Sequence, residues 1–211
     1  MAENKFDFKK ECKDLYAPGK IPVLIKVPTM KFIVVDGEGA PEDAQYKRAI
    51  EAVYSLSYAI KMSKMSGRQP QGYFEYVVPP LEGFWYLGED NKHLNDRSKW
   101  IWTSAIRQPD FVDRESFDRA IEECARKKPG LDLSAARLTA MDEGLCVQVL
   151  HIGPYSEEPA SIAKIKVFIE ENGLQSDLGT LRQHHEIYLG DPRKQPPEKW
   201  RTILRMPVKY K

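Results

Sequence analysis

Apolar positions along this chain alternate in some stretches and recur at steps of three and four in others, and the switch between the two periods marks out the elements. Phe32, Ile33, Val34 and Val35 make a β-rich run from Lys31 to Val35, which Asp36-Gly37-Glu38-Gly39 is expected to stop. From Ala40 to about Met65, Ile50, Val53, Tyr54, Ser57 and Ile60 fall on one helical face, with Gly67 and Pro70 just beyond. Tyr73–Val78 and Leu81–Leu87 flank Pro79-Pro80 as strand-like runs, and Lys99–Ile106 is another ahead of Pro109. Asp113 suits the N-cap of a helix through about Lys127, with Phe117, Ala120, Ile121 and Cys124 on one face and Pro129-Gly130 at its end. Ala136–Met141 and Leu145–Ile152 predict a hairpin around Asp142-Glu143-Gly144. Ser156 is placed to cap a further helix, buried through Ile162, Ile165, Phe168 and Ile169 and stopped at Asn172-Gly173. Strands at His184–Leu189 and Arg201–Val208 close the chain.

The order strand, helix, strand, strand thus occurs twice. Gly37 and Gly153 serve as anchors before the two helices, and Lys99-Trp100 with Arg107-Gln108-Pro109 is echoed by Lys199-Trp200 with Arg205-Met206-Pro207, at a spacing shorter by two residues. These features predict an α+β fold: tandem β-α-β-β modules with pseudo-two-fold symmetry and a central ligand cavity. The whole of 1–211 is expected to be one domain, its halves at roughly 20–110 and 131–211 joined by a helix at 113–128.

Composition narrows the function classes. Lys plus Arg at 32 against Asp plus Glu at 31 leaves a net charge of +1, so no bulk field favours nucleic acid or an anionic membrane. Cys12, Cys124 and Cys146 are odd in number and lack CxxC spacing, as expected of reduced thiols in a cytoplasmic protein, with Cys124 and Cys146 in the core. The opening Met1-Ala2-Glu3-Asn4-Lys5 has no apolar leader, and no run reaches the ~20 apolar residues of a membrane span.

Candidate chemistry centres on His184-His185-Glu186-Ile187-Tyr188, which reads as a strand yet carries a carboxylate. Alternation projects Glu186 and Tyr188 from one face, as a pocket wall requires; an ordinary exposed face is the plainer reading. Phe84-Trp85-Tyr86 and Trp100 with Trp102 are an aromatic concentration suited to flat ligands, unless they are simply core. Glu82 lies beside these rings at a position loosely matching Glu186, so two carboxylates are expected to face one groove, where desolvation makes a better base. Tyr155, at a helix start, is a candidate hydrogen-bond donor into the same groove. His184 and His185 are adjacent, point to opposite faces and cannot chelate one metal together; Gly37-Glu38-Gly39 lacks the third glycine of a nucleotide fingerprint. No cofactor is expected.

Together these landmarks resemble the GyrI-like small-molecule-binding family over nearly the full chain. His151-Ile152-Gly153-Pro154-Tyr155 and Glu186-Ile187-Tyr188-Leu189 look like its shared pocket elements. Asp14-Leu15-Tyr16-Ala17-Pro18, Tyr46 to Tyr58, Pro80-Leu81-Glu82-Gly83-Phe84-Trp85 and Ile106-Arg107-Gln108-Pro109-Asp110-Phe111 look like a stand-alone subgroup. In related multidrug-responsive regulators the glutamate corresponding to Glu186 meets cationic aromatic drugs. With no DNA-binding helical module ahead of the domain, transcriptional control is not expected. The subgroup is similar to hydrolases that detoxify DNA-alkylating cyclopropanoid natural products by opening the cyclopropane ring. That resemblance implies a flat ligand held by Phe84, Trp85, Tyr86, Trp100, Trp102 and Tyr188, water activated by Glu186 or Glu82, and Tyr155 or Tyr188 as donor. The competing class is a non-catalytic binder of flat aromatic or cationic drugs; a gyrase-inhibitor-like protein partner would need an exposed recognition patch that the sequence does not display.

Overall fold

The computed structural model describes residues 5–89 and 92–211, so Met1–Asn4 of the charged opening lie outside the described residues. The elements run α1 (Phe8–Glu11), α2 (Lys13–Tyr16), β1 (Val23–Val27), β2 (Met30–Glu38), α3 (Ala44–Met62), β3 (Leu81–Tyr86), β4 (Ile101–Gln108), α4 (Arg114–Lys127), β5 (Arg137–Met141), β6 (Gly144–Ile152), α5 (Glu158–Glu171), β7 (Leu174–Ser176), β8 (His184–Tyr188) and β9 (Arg201–Tyr210). Mixed α+β architecture is therefore present, built on one antiparallel sheet ordered β1-β6-β9-β8-β3-β4-β2-β5, with β7 pairing β9. From the central β3·β8 pair outward, the order is β3-β4-β2 on one side and β8-β9-β6 on the other, which is the order a two-fold axis through that seam would generate.

Several local expectations are corrected. Residues 136–152 form no hairpin: β5 pairs β2 and β6 pairs β1, so each half's leading strand caps the other half's edge. Glu143, in the connection between them, is drawn inward by the buried Arg205 and His185. Gly37 does not stop its strand. It lies within β2 opposite Trp102, whose indole would be 2.3 Å from an added Cβ, so close approach and not a turn demands glycine. The true counterpart of Gly153 is Gly39: both have positive φ, and their amides donate to the carbonyls of Trp200 (3.1 Å) and Trp100 (2.8 Å). Counting from those tryptophans, Arg205 matches Ala105 and not Arg107, which accounts for the unequal spacing. Residues 73–78 make no strand; Tyr76 forms only an isolated bridge to Phe6, and Tyr73, Phe74 and Tyr76 pack on Phe111. Ser156 does not cap α5, which follows a 3-10 turn at Tyr155–Glu157.

Period-two burial sorts the sheet into two faces. On the front, Ile33, Val35, Trp85, Trp102 and Ile106 pack with α3 and α4, while Val147, Val149, Leu204 and Met206 pack with α5. On the back, Phe32, Val34, Phe84, Ala105, Ile187 and Ile203 are covered by Phe8, Leu15 and Tyr16 from the N-terminal segment. Helix α3 lies over β2 and β4, and α5 over β6, β7 and β9, so β3 and β8 run between the two helices. The three cysteines are unpaired, with Cys124 and Cys146 buried. No helix among the described residues is long and apolar enough to cross a membrane.

Back-face packing includes a chain of buried charges. His185 is fully buried, with Nδ1 2.8 Å from Glu143 Oε2 and Nε2 2.9 Å from Glu82 Oε2; it stacks on Phe84 at 3.9 Å. Arg205 donates to Glu143 Oε1 (2.8 Å), to Gln148 Oε1 and to the Leu15 carbonyl (3.0 Å), and Tyr16 Oη donates to Glu82 Oε1 (2.9 Å). Burial pushes the Glu143 carboxyl up, but His185 and Arg205 outweigh it and hold it at about 2; burial lowers the His185 imidazole, and Glu143 with Glu82 outweighs that and raises it. Glu143 thus contributes stability that is complete above its unfolded value of 4.5 and lost as pH falls through about 2. The His185 contribution has the opposite sense: it is complete below its unfolded value of 6.5 and lost as pH rises through the raised folded value. Urea unfolding should show an acid limb worth about 3 kcal/mol. Glu143→Gln should flatten that limb and cost about 3–5 kcal/mol at pH 7, because it leaves buried cations unpaired; a variant as stable as the parent would exclude this account.

Candidate functional site

The front of the β3·β8 seam gathers most of the candidate residues. Antiparallel register sets Gly83 opposite Glu186, Leu81 opposite Tyr188 and Trp85 opposite His184, so these six residues share the face between α3 and α5. Tyr188 Oη donates to Glu186 Oε2 at 2.7 Å, and His184 Nε2 lies 3.3 Å from Oε1 without making a hydrogen bond. Trp85 Nε1 donates in turn to Tyr188 Oη at 3.2 Å. Gly83 makes this crossing possible, since a Cβ there would be 2.8 Å from the Trp85 Nε1 and 2.9 Å from the Tyr188 hydroxyl.

Aromatic rings surround the carboxylate. Trp85 meets Tyr46 at 5.3 Å and Trp100 edge-on at 5.9 Å; Tyr155 meets Tyr188 edge-on at 6.0 Å and leans on Trp200 at 4.9 Å. Tyr46 is buried on this face and lies near Tyr188 and Ser104 without a hydrogen bond to Ser104. Tyr155 is delivered by a pinned turn. His151 Nε2 lies 3.2 Å from the Pro154 carbonyl, which only accepts, so Nε2 carries the proton and Nδ1 accepts from Ser161 Oγ at 3.0 Å.

A second carboxyl joins this group from the first turn of α5. Burial, and then the charge of Glu186, push Glu158 up to about 9, so at neutral pH it holds a proton beside Glu186. Burial likewise pushes the Tyr155 phenol up to about 12, with Glu186 adding to the rise, and Tyr188 higher still for the same reasons. A carboxylic side chain, a buried carboxyl raised well above its ordinary value and two raised phenols thus lie on one face among aromatic rings.

The residues singled out from sequence separate into two sets. Glu186, Tyr188, Tyr155, Trp85 and Trp100 come together. Trp102 shares their face but is fully buried beneath Tyr46, at 4.9 Å, as helix-packing core. Glu82 and Phe84 lie on the back face, because Glu82 pairs with Ile187 and Phe84 with His185 across the seam, and alternation assigns Tyr86 to that side as well. The two glutamates therefore do not share a groove, and Glu82 is fully buried against Tyr16 and His185. Sequence reading missed Tyr46, Glu158 and Trp200. Trp200 left a signal through its repeat with Trp100, and Tyr46 opens a segment that resembles the stand-alone subgroup; Glu158 left none.

The sequence model of the GyrI-like small molecule binding domain matches residues 22–209. The chain belongs to the GyrI-like family. As a GyrI-like protein it carries a small-molecule-binding domain, and solved relatives share the fold. A structure described as a hydrolase from Listeria innocua is 48% identical, covers 97% of this chain and 100% of its own, and has a TM-score of 0.89. A second from Listeria innocua, described as an uncharacterized conserved protein, is 50% identical over 97% of this chain and 100% of its own, with a TM-score of 0.93. The EcmrR C-terminal domain shares the fold at 13% identity and a TM-score of 0.55, covering 90% of this chain and 98% of its own. No curated protein matches the chain.

The acid pair is directly measurable. Carbon-detected NMR titration of the Glu158 carboxyl should show a midpoint of about 9. In Glu186→Gln the midpoint should fall yet stay above 4.5, because burial is the larger cause; a midpoint of 4.5 in the unmodified protein would remove the protonated partner from this site.

Proposed function

We propose that this GyrI-like protein is a cytoplasmic detoxifying hydrolase that opens the strained cyclopropane ring of flat, DNA-alkylating cyclopropanoid compounds. The observation that carries the reading is Glu186, which accepts from Tyr188 on the front of the seam, among aromatic rings and near enough to Glu158 to help raise its carboxyl. The hydrolase description of a Listeria innocua protein 48% identical to this chain supports it.

In the proposed reaction, Trp85, Trp100 and Tyr155 hold the conjugated system flat, with its ring methylene carbon turned toward Glu186. A water oxygen attacks that carbon while Glu186 takes the water's proton. The carbon–carbon bond breaks, and its electron pair passes through the conjugated system to the ring carbonyl oxygen, which becomes a phenolate. Tyr155 donates a hydrogen bond to the developing oxyanion, and Glu158 supplies the proton that completes the phenol. Glu186 has then gained one proton and Glu158 has lost one; transfer between them restores the site. Glu82, locked on the opposite face, takes no part.

Glu186→Gln should lower turnover of a spirocyclopropyl cyclohexadienone by ~100-fold or more while retaining binding of this neutral compound. Tyr155→Phe should lower turnover by a smaller factor, and Glu82→Gln should reduce stability with turnover retained. The dienone absorbance follows turnover and tryptophan fluorescence follows binding. Full turnover in Glu186→Gln would rule out this base, whereas tight binding without turnover by the unmodified protein would favour a sequestering protein.

A further inference from the structure

Alternation along β8 turns His184 to the same face as Glu186, and register sets it opposite Trp85. Its side chain is 16% exposed, yet both ring nitrogens are shut off from solvent, and among the described residues nothing hydrogen-bonds to either. A phenylalanine would fill such a place without penalty, whereas an imidazole nitrogen buried without a partner costs about 1–3 kcal/mol. His184 Nε2 lies 3.3 Å from Glu186 Oε1, out of hydrogen-bonding alignment with it. The two oxygens of Glu186 differ. Oε2 accepts from Tyr188 Oη at 2.7 Å, which leaves Oε1, the oxygen beside His184, as the one placed to receive a new proton.

We propose that His184 is a positioning residue which, together with Glu186 Oε1, holds the attacking water. The water donates one O–H to Oε1 and the other to His184 Nε2, so that a lone pair of its oxygen faces the ring methylene carbon. As the carbon–oxygen bond forms, the first proton passes to Oε1; the second stays on the oxygen and leaves with the product as its hydroxyl hydrogen. His184 takes up no proton and touches no atom of the substrate. Its part is orientation, because a water tied to Oε1 alone would swing about a single hydrogen bond. This rests on the reading of Glu186 as the base.

His184→Phe, which keeps a flat ring and removes both nitrogens, should lower kcat for the spirocyclopropyl cyclohexadienone about ten- to a hundredfold, the scale of a misplaced reacting group. KM, and the affinity read from tryptophan quenching, should stay as they were. His184→Gln, whose amide oxygen stands in for Nε2 as acceptor, should recover most of the loss, which a role in packing alone would not predict. Full kcat in His184→Phe, or equal losses in the two variants, overturns the proposal. Full activity in Glu186→Gln, or no turnover by the unmodified protein, is a separate failure of the hydrolase reading, and the water site is then judged from a crystal structure of the unmodified protein. Density for a water within hydrogen-bonding distance of both Glu186 Oε1 and His184 Nε2 supports the pair, and its absence there overturns it.

Discussion

Strands β3 and β8 pair at the centre of the sheet with Gly83 opposite Glu186 and Glu82 opposite Ile187, and alternation does the rest. One parity sends His184, Glu186 and Tyr188 to the aromatic front face; the other sends His185 and Ile187 into the back core. A slip by one residue would exchange Glu186 for His185 and destroy both faces. The back-face charges guard against this. His185, Arg205 and Glu143 are tolerable in the interior only together, so any other register leaves buried ions unpaired, which costs several kcal/mol. The back of the sheet in this way fixes the geometry of its front.

Burial also shapes the front. It raises Glu158 to about 9, with the charge of Glu186 adding to the rise, and it raises the Tyr155 and Tyr188 phenols as well. Backbone provides the remaining precision, through Gly83 beneath the Trp85 and Tyr188 crossing and the His151-pinned turn that presents Tyr155.

Local pattern made much of this legible. The face shared by Glu186 and Tyr188 follows from period two within a single strand, and α4 with its Asp113 cap, whose side chain accepts from the Ser116 amide at 2.8 Å, follows from short-range chemistry. What escaped were relations between strands. Nothing within 81–86 tells whether Glu82 or Gly83 will face the same way as Glu186, because parity across a seam is set by register. The assumed hairpin at 136–152 failed for a similar reason: adjacency in sequence favours pairing, and the partners of β5 and β6 lie far away. Tyr46 hid among the buried positions of an amphipathic helix, and Glu158 among the acidic residues that usually open one.

The exchanged edge strands make the two stretches of the chain depend on each other. Because β1 lies against β6 and β5 against β2, the chain before α4 would by itself leave β1 with nothing to lie beside and β2 with a bare rim. Each border of the sheet is closed by chain from the far side of α4, so neither stretch can lose the other without exposing an edge that invites pairing with another molecule.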